Sequence, residues 1–174
     1  RRQLGQNFLI DANIVCKIVD ALNPKEGDPV IEVGPGAGAL SMALARQNVQ
    51  LLALELDRGL VGLLNELLSP WPSARVLEAD VLKIDWQVIV DRIGLSRPVK
   101  LVSNLPYHIS GPFLYKLYKE KMPFIEVILM LQKEVARRLV AKPSDSDYGG
   151  LSVFTSYYTD SSILFNVSRN VFWP

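Results

Sequence analysis

The sequence predicts an α/β protein built on a doubly wound, mostly parallel sheet. Short apolar runs recur at residues 30–33, 51–56, 76–79, 101–102 and 127–131, and helix-like stretches stand between most of them. A glycine-rich string at residues 34–38 follows the first run, where such sheets hand a strand over to a helix. With 174 residues, 49% hydrophobic and 21% charged, the chain has the make-up of one ordinary globular domain. Disorder, collagen and a pure coiled coil are excluded.

Asp11 is placed to cap a helix over residues 12–22, in which Ile14, Val15, Ile18, Val19 and Leu22 form one stripe. Asn23-Pro24 ends it. The single Cys16 lies in this stretch; it can make no internal disulfide, has no Ser/His/Asp constellation beside it, and is expected to be a small buried thiol. The strand at 30–33 and its glycine string come next, then the strand at 51–56 and a helix over 58–68. Strands at 76–79 and 101–102 precede a helix over 111–119. The unbroken apolar string Val127-Ile128-Leu129-Met130-Leu131 fits a strand covered by helices on both faces. Pro70-Trp71-Pro72 and residues 143–147 punctuate the chain, but neither is long enough to be a domain linker. Residues 151–159 have strand-like composition, yet Leu151, Phe154, Thr155 and Tyr158 keep helical spacing. A helix is expected there, followed by a strand near 163–167. Val171-Phe172-Trp173-Pro174 brings no closing element, so the chain reads as a fragment cut at both ends.

No apolar run approaches the roughly 18 residues of a membrane helix, and Arg1-Arg2-Gln3 does not open a secretory signal. A reducing, cytoplasmic setting without membrane contact is the expectation. The net charge of +1 hides a segregation, because residues 100–142 carry 8 basic and 3 acidic side chains. Lys116, Lys119, Lys121, Lys133, Arg137, Arg138 and Lys142 could form an electrostatic footprint for a phosphate backbone or a solvated helix face.

The string Glu32-Val33-Gly34-Pro35-Gly36-Ala37-Gly38-Ala39-Leu40 marks a nucleotide-type pocket, since Gly34 and Gly36 let a ligand approach the backbone. Ala39 stands where a dinucleotide fingerprint has its third glycine, so that match is weak. Glu55 ends the second strand, 21 residues after Gly34, where a carboxylate accepts both ribose hydroxyls. Asp80 ends the third, placed either to accept from an adenine amine or to cap the next helix. Together they favour an adenosine-containing ligand. Asn104-Leu105-Pro106-Tyr107 then falls at the end of the fourth strand, on the same edge of the sheet. Hydride chemistry has no use for it, whereas methylation of an aromatic amine does. The Asn104 side-chain oxygen and the Leu105 carbonyl can take the amine's two hydrogens and leave its lone pair aimed at a methyl donor. Pro106 holds Leu105 extended, and Tyr107 offers a face on which an extruded base can stack.

Gln6-Asn7-Phe8-Leu9, the glycine string, Leu54-Glu55-Leu56-Asp57, Asn104-Leu105-Pro106-Tyr107-His108-Ile109-Ser110, Leu131-Gln132-Lys133-Glu134-Val135-Ala136 and Tyr148-Gly149-Gly150-Leu151-Ser152-Val153 are similar to the motifs of the ribosomal RNA adenine dimethyltransferases. The resemblance spans nearly the whole chain, and the last two strings resemble the small-subunit enzymes more than the large-subunit Erm-type enzymes. It implies a Rossmann-like class I methyltransferase domain over residues 1–174, shortened at its C-terminal end and lacking the family's small helical domain. It further implies S-adenosylmethionine as donor and, as acceptors, two adjacent adenines near the 3′ end of small-subunit rRNA within a pre-ribosomal particle, each dimethylated by a monomeric enzyme. Carried over by motif, Asn7 and Leu9 hold the donor's amino-acid end, Gly34 lines its loop, Glu55 takes the ribose, Asp80 the donor adenine and Asn104 the reacting amine. No metal or covalent nucleophile is expected, because the donor's methyl group is already electrophilic. His108, the only histidine, stays outside the catalytic set.

Ser41 stands where the family's loop usually ends in Thr, and Ser103 where Gly often precedes Asn104. On the RNA side, Lys133, Arg137 and Arg138 are the candidate phosphate contacts. The alternatives are an Erm-type enzyme, a non-catalytic RNA- or DNA-binding assembly or transcription factor on the same fold, and, on the glycine loop and Glu55 alone, a nicotinamide oxidoreductase.

Overall fold

Apolar runs flanked by helices pair in parallel, and the computed structural model, which describes residues 8–92, 98–120 and 124–173, shows how. In chain order the elements are β1 (Phe8–Leu9), α1 (Ala12–Leu22), β2 (Pro29–Val33), α2 (Ala39–Ala45), β3 (Gln50–Glu55), α3 (Arg58–Leu68), β4 (Ala74–Glu78) and α4 (Trp86–Arg92). Then follow β5 (Val99–Asn104), α5 (Ser110–Lys119), β6 (Phe124–Met130), α6 (Lys133–Val140), α7 (Gly150–Tyr158) and β7 (Phe172–Trp173). Five strands form one parallel sheet in the order β4-β3-β2-β5-β6. β2 is central and its neighbours, β3 and β5, are reached by connections running in opposite directions. The loops leaving β2 and β5 therefore diverge at the carboxyl edge and open a crevice, the place where such sheets bind ligands.

Alternation along the strands splits the core in two. Val30, Leu51 and Val102 pack with the stripe Val15, Ile18, Val19 and Leu22 of α1 and with Leu40 and Leu44 of α2. Ile31, Val33, Leu52, Leu54 and Leu101 face the other way, onto Trp86 and Ile89 of α4 and Phe113 and Leu117 of α5. The α1 ends are those expected: the Asp11 side chain accepts from Asn13 N (2.8 Å) and Ile14 N (3.1 Å), and Asn23 closes the helix in the left-handed region. In the same way Asp57 accepts from Gly59 N (2.8 Å) at the head of α3.

Three expectations are corrected. Cys16 is exposed, because it lies about 100° around the helix from Val15, outside the stripe that meets the sheet. The 127–131 string is covered only in part: Ile128 and Met130 pack on one core half and Leu129 and Leu131 on the other, but β6 stands at the edge of the sheet and Val127 is 39% exposed. Residues 163–167 form no strand, since apolar composition makes a strand only where a partner's N–H and C=O groups line up, and β6 pairs with β5 alone. That segment instead runs back over the first core half, where Phe165, Val171 and Phe172 pack. It ends in an unforeseen two-stranded ribbon, β1 with β7, in which Phe8 opposes Trp173 and Leu9 opposes Phe172. The helix over 151–159 is present as α7.

No described helix is long and apolar enough to cross a membrane.

Candidate active site

The glycine turn is forced by its backbone. Gly34 (φ +68°), Gly36 (φ +58°) and Gly38 (φ +85°) all occupy the left-handed region, which a side chain strains. At Gly36 a Cβ would also stand 3.0 Å from Cδ1 of Phe8, so β1 lies directly against the turn. Gly34 N donates to Leu54 O (2.9 Å), prolonging the pairing of β2 with β3 to the edge.

Glu55, the last residue of β3, is 4% exposed and held by three backbone donors. Gly36 N reaches Oε2 (3.2 Å), while Leu56 N (2.8 Å) and Asp57 N (2.9 Å) reach Oε1. Its carboxylate is thereby fixed against the glycine turn, in a place suited to accept from vicinal hydroxyls.

Sequence reasoning gave Glu32 no role. It lies on β2, 2% exposed, with its Oε2 accepting from Ser41 Oγ (2.5 Å) on the first turn of α2. This bond spans the base of the glycine turn. Burial pushes the Glu32 carboxyl up to about 7; the Ser41 hydroxyl opposes that shift and the nearby Glu55 adds to it. An acid inside an apolar strand leaves no periodicity signal, so only the fold reveals it. Both positions that depart from the family pattern are used locally, since Ser103 Oγ donates to Val33 O (2.6 Å) and ties β5 to β2 where the strand order reverses.

Asn104 ends β5 half-buried, Leu105 is 2% exposed, and Tyr107 starts a short 3-10 turn, Tyr107–Ile109, with its ring 51% exposed. The buried Leu105 side chain anchors the segment while the Tyr107 ring remains available to a flat partner. Leu9, Gly34, Gly36, Glu55 and all four residues Asn104 to Tyr107 line one cavity of about 1260 Å³. Lys133 at the head of α6 and Arg137 towards its end line it as well.

Other predicted residues fall elsewhere. Asp80 caps a turn, with Oδ1 accepting from Leu82 N (3.0 Å) and Oδ2 paired with Lys83 Nζ (3.2 Å), and it does not line the cavity. Arg138 and His108 are exposed and outside its lining. Asn7 and Lys121 lie outside the described residues. Among the described residues no group of three or more His, Cys, Asp or Glu side chains could hold a metal ion.

Comparison with known proteins gives a consistent answer. The family described as ribosomal RNA adenine dimethylase matches residues 1–174. Curated relatives include the ribosomal RNA small subunit methyltransferase A of Alkaliphilus oremlandii, 43% identical over 173 residues that cover 99% of this chain and 60% of the relative. The protein of the same name from Geobacillus kaustophilus is 43% identical over 175 residues, covering 100% of this chain and 60% of its own length. This chain thus spans about 60% of the length of those relatives. Among solved structures, a dimethyladenosine transferase from Plasmodium falciparum superposes with a TM-score of 0.72 at 27% identity, covering 86% of this chain and 52% of that one. The 23S rRNA methyltransferase ErmE gives 0.65 at 28% identity, covering 86% and 55%. The fold is the Rossmann-like α/β fold those enzymes share, and with the match running over all 174 residues, this chain belongs to the ribosomal RNA adenine dimethylase family.

Proposed function

We propose that residues 1–174 are the donor-binding and catalytic domain of an S-adenosylmethionine-dependent adenine dimethyltransferase acting on small-subunit rRNA. The observation that carries this reading is the meeting of Asn104-Leu105-Pro106-Tyr107 with the glycine turn and Glu55 around one cavity. The relatives' name, ribosomal RNA small subunit methyltransferase A, supports the choice of subunit.

The residues present fit the donor. The space beside Gly34 is kept open by the missing side chain, since a Cβ there would come within 3.8 Å of Asn104 O and 3.9 Å of Pro106 Cδ, and Glu55 faces that turn. When bound, S-adenosylmethionine supplies an electrophilic methyl group on a sulfonium. Glu55 would accept from the ribose, the glycine turn and Leu9 would flank the amino-acid end, and Asp80 would meet the adenine only by giving up part of its capping role. Asn7 belongs to the same assignment by motif.

The work left to the protein is alignment and desolvation. An aromatic amine has its lone pair delocalised into the ring, so its hydrogens must be held for the pair to turn outward. The Asn104 side-chain oxygen and the Leu105 carbonyl accept those hydrogens, Pro106 keeps the Leu105 backbone extended, and the Tyr107 ring stacks on the base. Lys133 and Arg137, on the cavity rim, and Arg138 beside them hold phosphates without reading bases. The protein acts as a monomer on pre-ribosomal particles in the cytoplasm.

Labelled S-adenosylmethionine, offered with unmethylated small and large ribosomal subunits separately, tests the reading after digestion to nucleosides. Dimethyladenosine from the small subunit alone is expected. Label in the large subunit would assign the Erm-type activity, and donor binding without label would assign a non-catalytic RNA-binding role. Asn104→Ala is expected to cut transfer by about 100-fold or more while RNA affinity is retained.

A further inference from the structure

We propose that Glu32 is a positioning residue that lets the site tell methyl donor from demethylated product by charge. Its carboxyl releases a proton when the cationic donor binds and regains it once the neutral product remains. The inference rests on the donor reading of this pocket.

Glu32 shares its face of β2 with Val30, the face that meets α1 and α2. Its strand neighbours are Ala53 of β3 and Val102 of β5, neither of which can pair with it. From α2 only Ser41 reaches it, and α2, Ala39–Ala45, carries no charged residue. From β3 the charged group is Glu55, another acid. From α1 the nearest face is the apolar stripe; Lys17 points elsewhere, over the Phe165 ring at 6.0 Å. No ion pair among the described residues includes Glu32. Two buried carboxyl groups, neither in an ion pair among the described residues, thus line one cavity beside the turn assigned to the donor's amino-acid end, and the cations that also line it, Lys133, Arg137 and Arg169, are exposed.

The ligands differ in the positive charge that these two carboxyl groups are without. S-adenosylmethionine carries a sulfonium, an ammonium and a carboxylate, for a net +1, whereas S-adenosylhomocysteine carries only the last two and is neutral overall. When the methyl group moves, the sulfur keeps the bonding electron pair and becomes a neutral thioether. The amine gains the methyl and sheds a proton, and Glu32 takes one proton from solvent as the positive charge beside it disappears. Burial already holds its carboxyl near neutrality, so a nearby cation is enough to change its state. An ionised Glu32 favours donor, and a neutral Glu32 leaves product no such preference.

The test measures the affinity of this chain for S-adenosylmethionine and for S-adenosylhomocysteine between pH 5.5 and 7, where the α-amino groups stay protonated. Calorimetry in buffers of different ionisation enthalpy counts the protons released. Donor affinity is expected to rise towards the one-proton limit of about tenfold per pH unit, with a shallower slope for product. Glu32→Gln should flatten the donor slope and reduce the preference for donor over product. His108→Gln should leave both unchanged, since that exposed ring lies outside the cavity lining. Equal slopes for the two ligands in the unaltered protein would overturn the proposal whether or not the Glu32 variant folds. So would a slope that survives in Glu32→Gln or disappears in His108→Gln. If neither ligand binds, the donor reading fails and takes this inference with it. If both bind, lose affinity in Glu55→Ala and show equal slopes, the pocket assignment stands and only the role of Glu32 is withdrawn.

Discussion

The buried Glu32 carboxyl makes a stability prediction that needs no ligand. In the unfolded chain its pKa is the ordinary 4.5, and in the folded protein burial raises it to about 7. Between those values the folded state holds a proton that the unfolded state has lost, so stability falls as pH rises through this window. Below pH 4.5 both states are protonated and the group is neutral in its effect; above about 7 the full penalty is present. A shift from 4.5 to about 7, at about 1.4 kcal/mol per unit, gives about 3 kcal/mol. Glu32→Gln removes the titration while keeping the shape and a hydrogen-bonding group opposite Ser41 Oγ. Urea unfolding of both proteins at pH 4.5, 5.5, 6.5 and 8, followed by tryptophan fluorescence, isolates this site because every other group titrates in both. The difference in unfolding free energy should move by about 3 kcal/mol in favour of the glutamine variant between the two ends of that range. Parallel curves would refute the assignment of a buried, proton-holding carboxyl to position 32.

Two further outcomes follow from the site. Gly36→Ala places a side chain at φ +58° and within 3.0 Å of Phe8, so it should cost about 1–2 kcal/mol from the backbone alone, lower Tm by several degrees and weaken donor binding through the displaced β1. Thermal unfolding and donor titration read the two effects. Replacing Lys133, Arg137 and Arg138 together with Gln should weaken RNA binding and reduce the slope of log affinity against log salt by about 2; an unchanged slope removes α6 from the RNA surface.

What could be read from sequence and what could not divides by the range of the forces involved. Asp11 and Asp57 cap their helices as local rules require, and the turn at 34–38 was legible because the left-handed backbone needs glycine wherever the chain later goes. That Asn104 to Tyr107 and Glu55 line one cavity was legible because strand ends in a parallel sheet share one edge. Asp80 had two readings at the same strand end, and the geometry displays its capping bonds. Cys16 failed as a core residue through a one-residue step off the helical stripe. Residues 163–167 failed as a strand because pairing is non-local, and their apolar side chains found the α1 side of the core instead of a sheet edge. Glu32 escaped notice because its importance comes from burial, which one strand's pattern does not disclose.

The edge strand also shows how register places the site. Val99 of β5 opposes Phe124, but the next residue, Lys100, opposes Glu126, so Ile125 is the extra residue of a bulge. Phe124 belongs to the core half with Trp86, whose ring it meets edge-on at 5.3 Å. Lys100 belongs to the other half, reaching Leu22 O (2.7 Å) and Glu126 Oε2 (3.3 Å). Phe124 and Glu126 therefore point to opposite faces although two residues apart, which regular alternation forbids and the bulge permits. From there the ladder runs evenly to Asn104 opposite Met130, which sets the end of β6 beside the Asn-Leu-Pro-Tyr segment. Deleting Ile125, 63% exposed, makes Phe124 and Glu126 adjacent, restores alternation and leaves every pairing beyond Lys100 intact. That deletion is expected to change unfolding free energy by no more than about 1 kcal/mol. Deleting Ile128 instead slips the rest of β6 by one residue, reverses its faces at the site edge and should cost several times as much, on the order of 4 kcal/mol. Equal losses from the two deletions would show that β6 is not held in register by the pairing with β5.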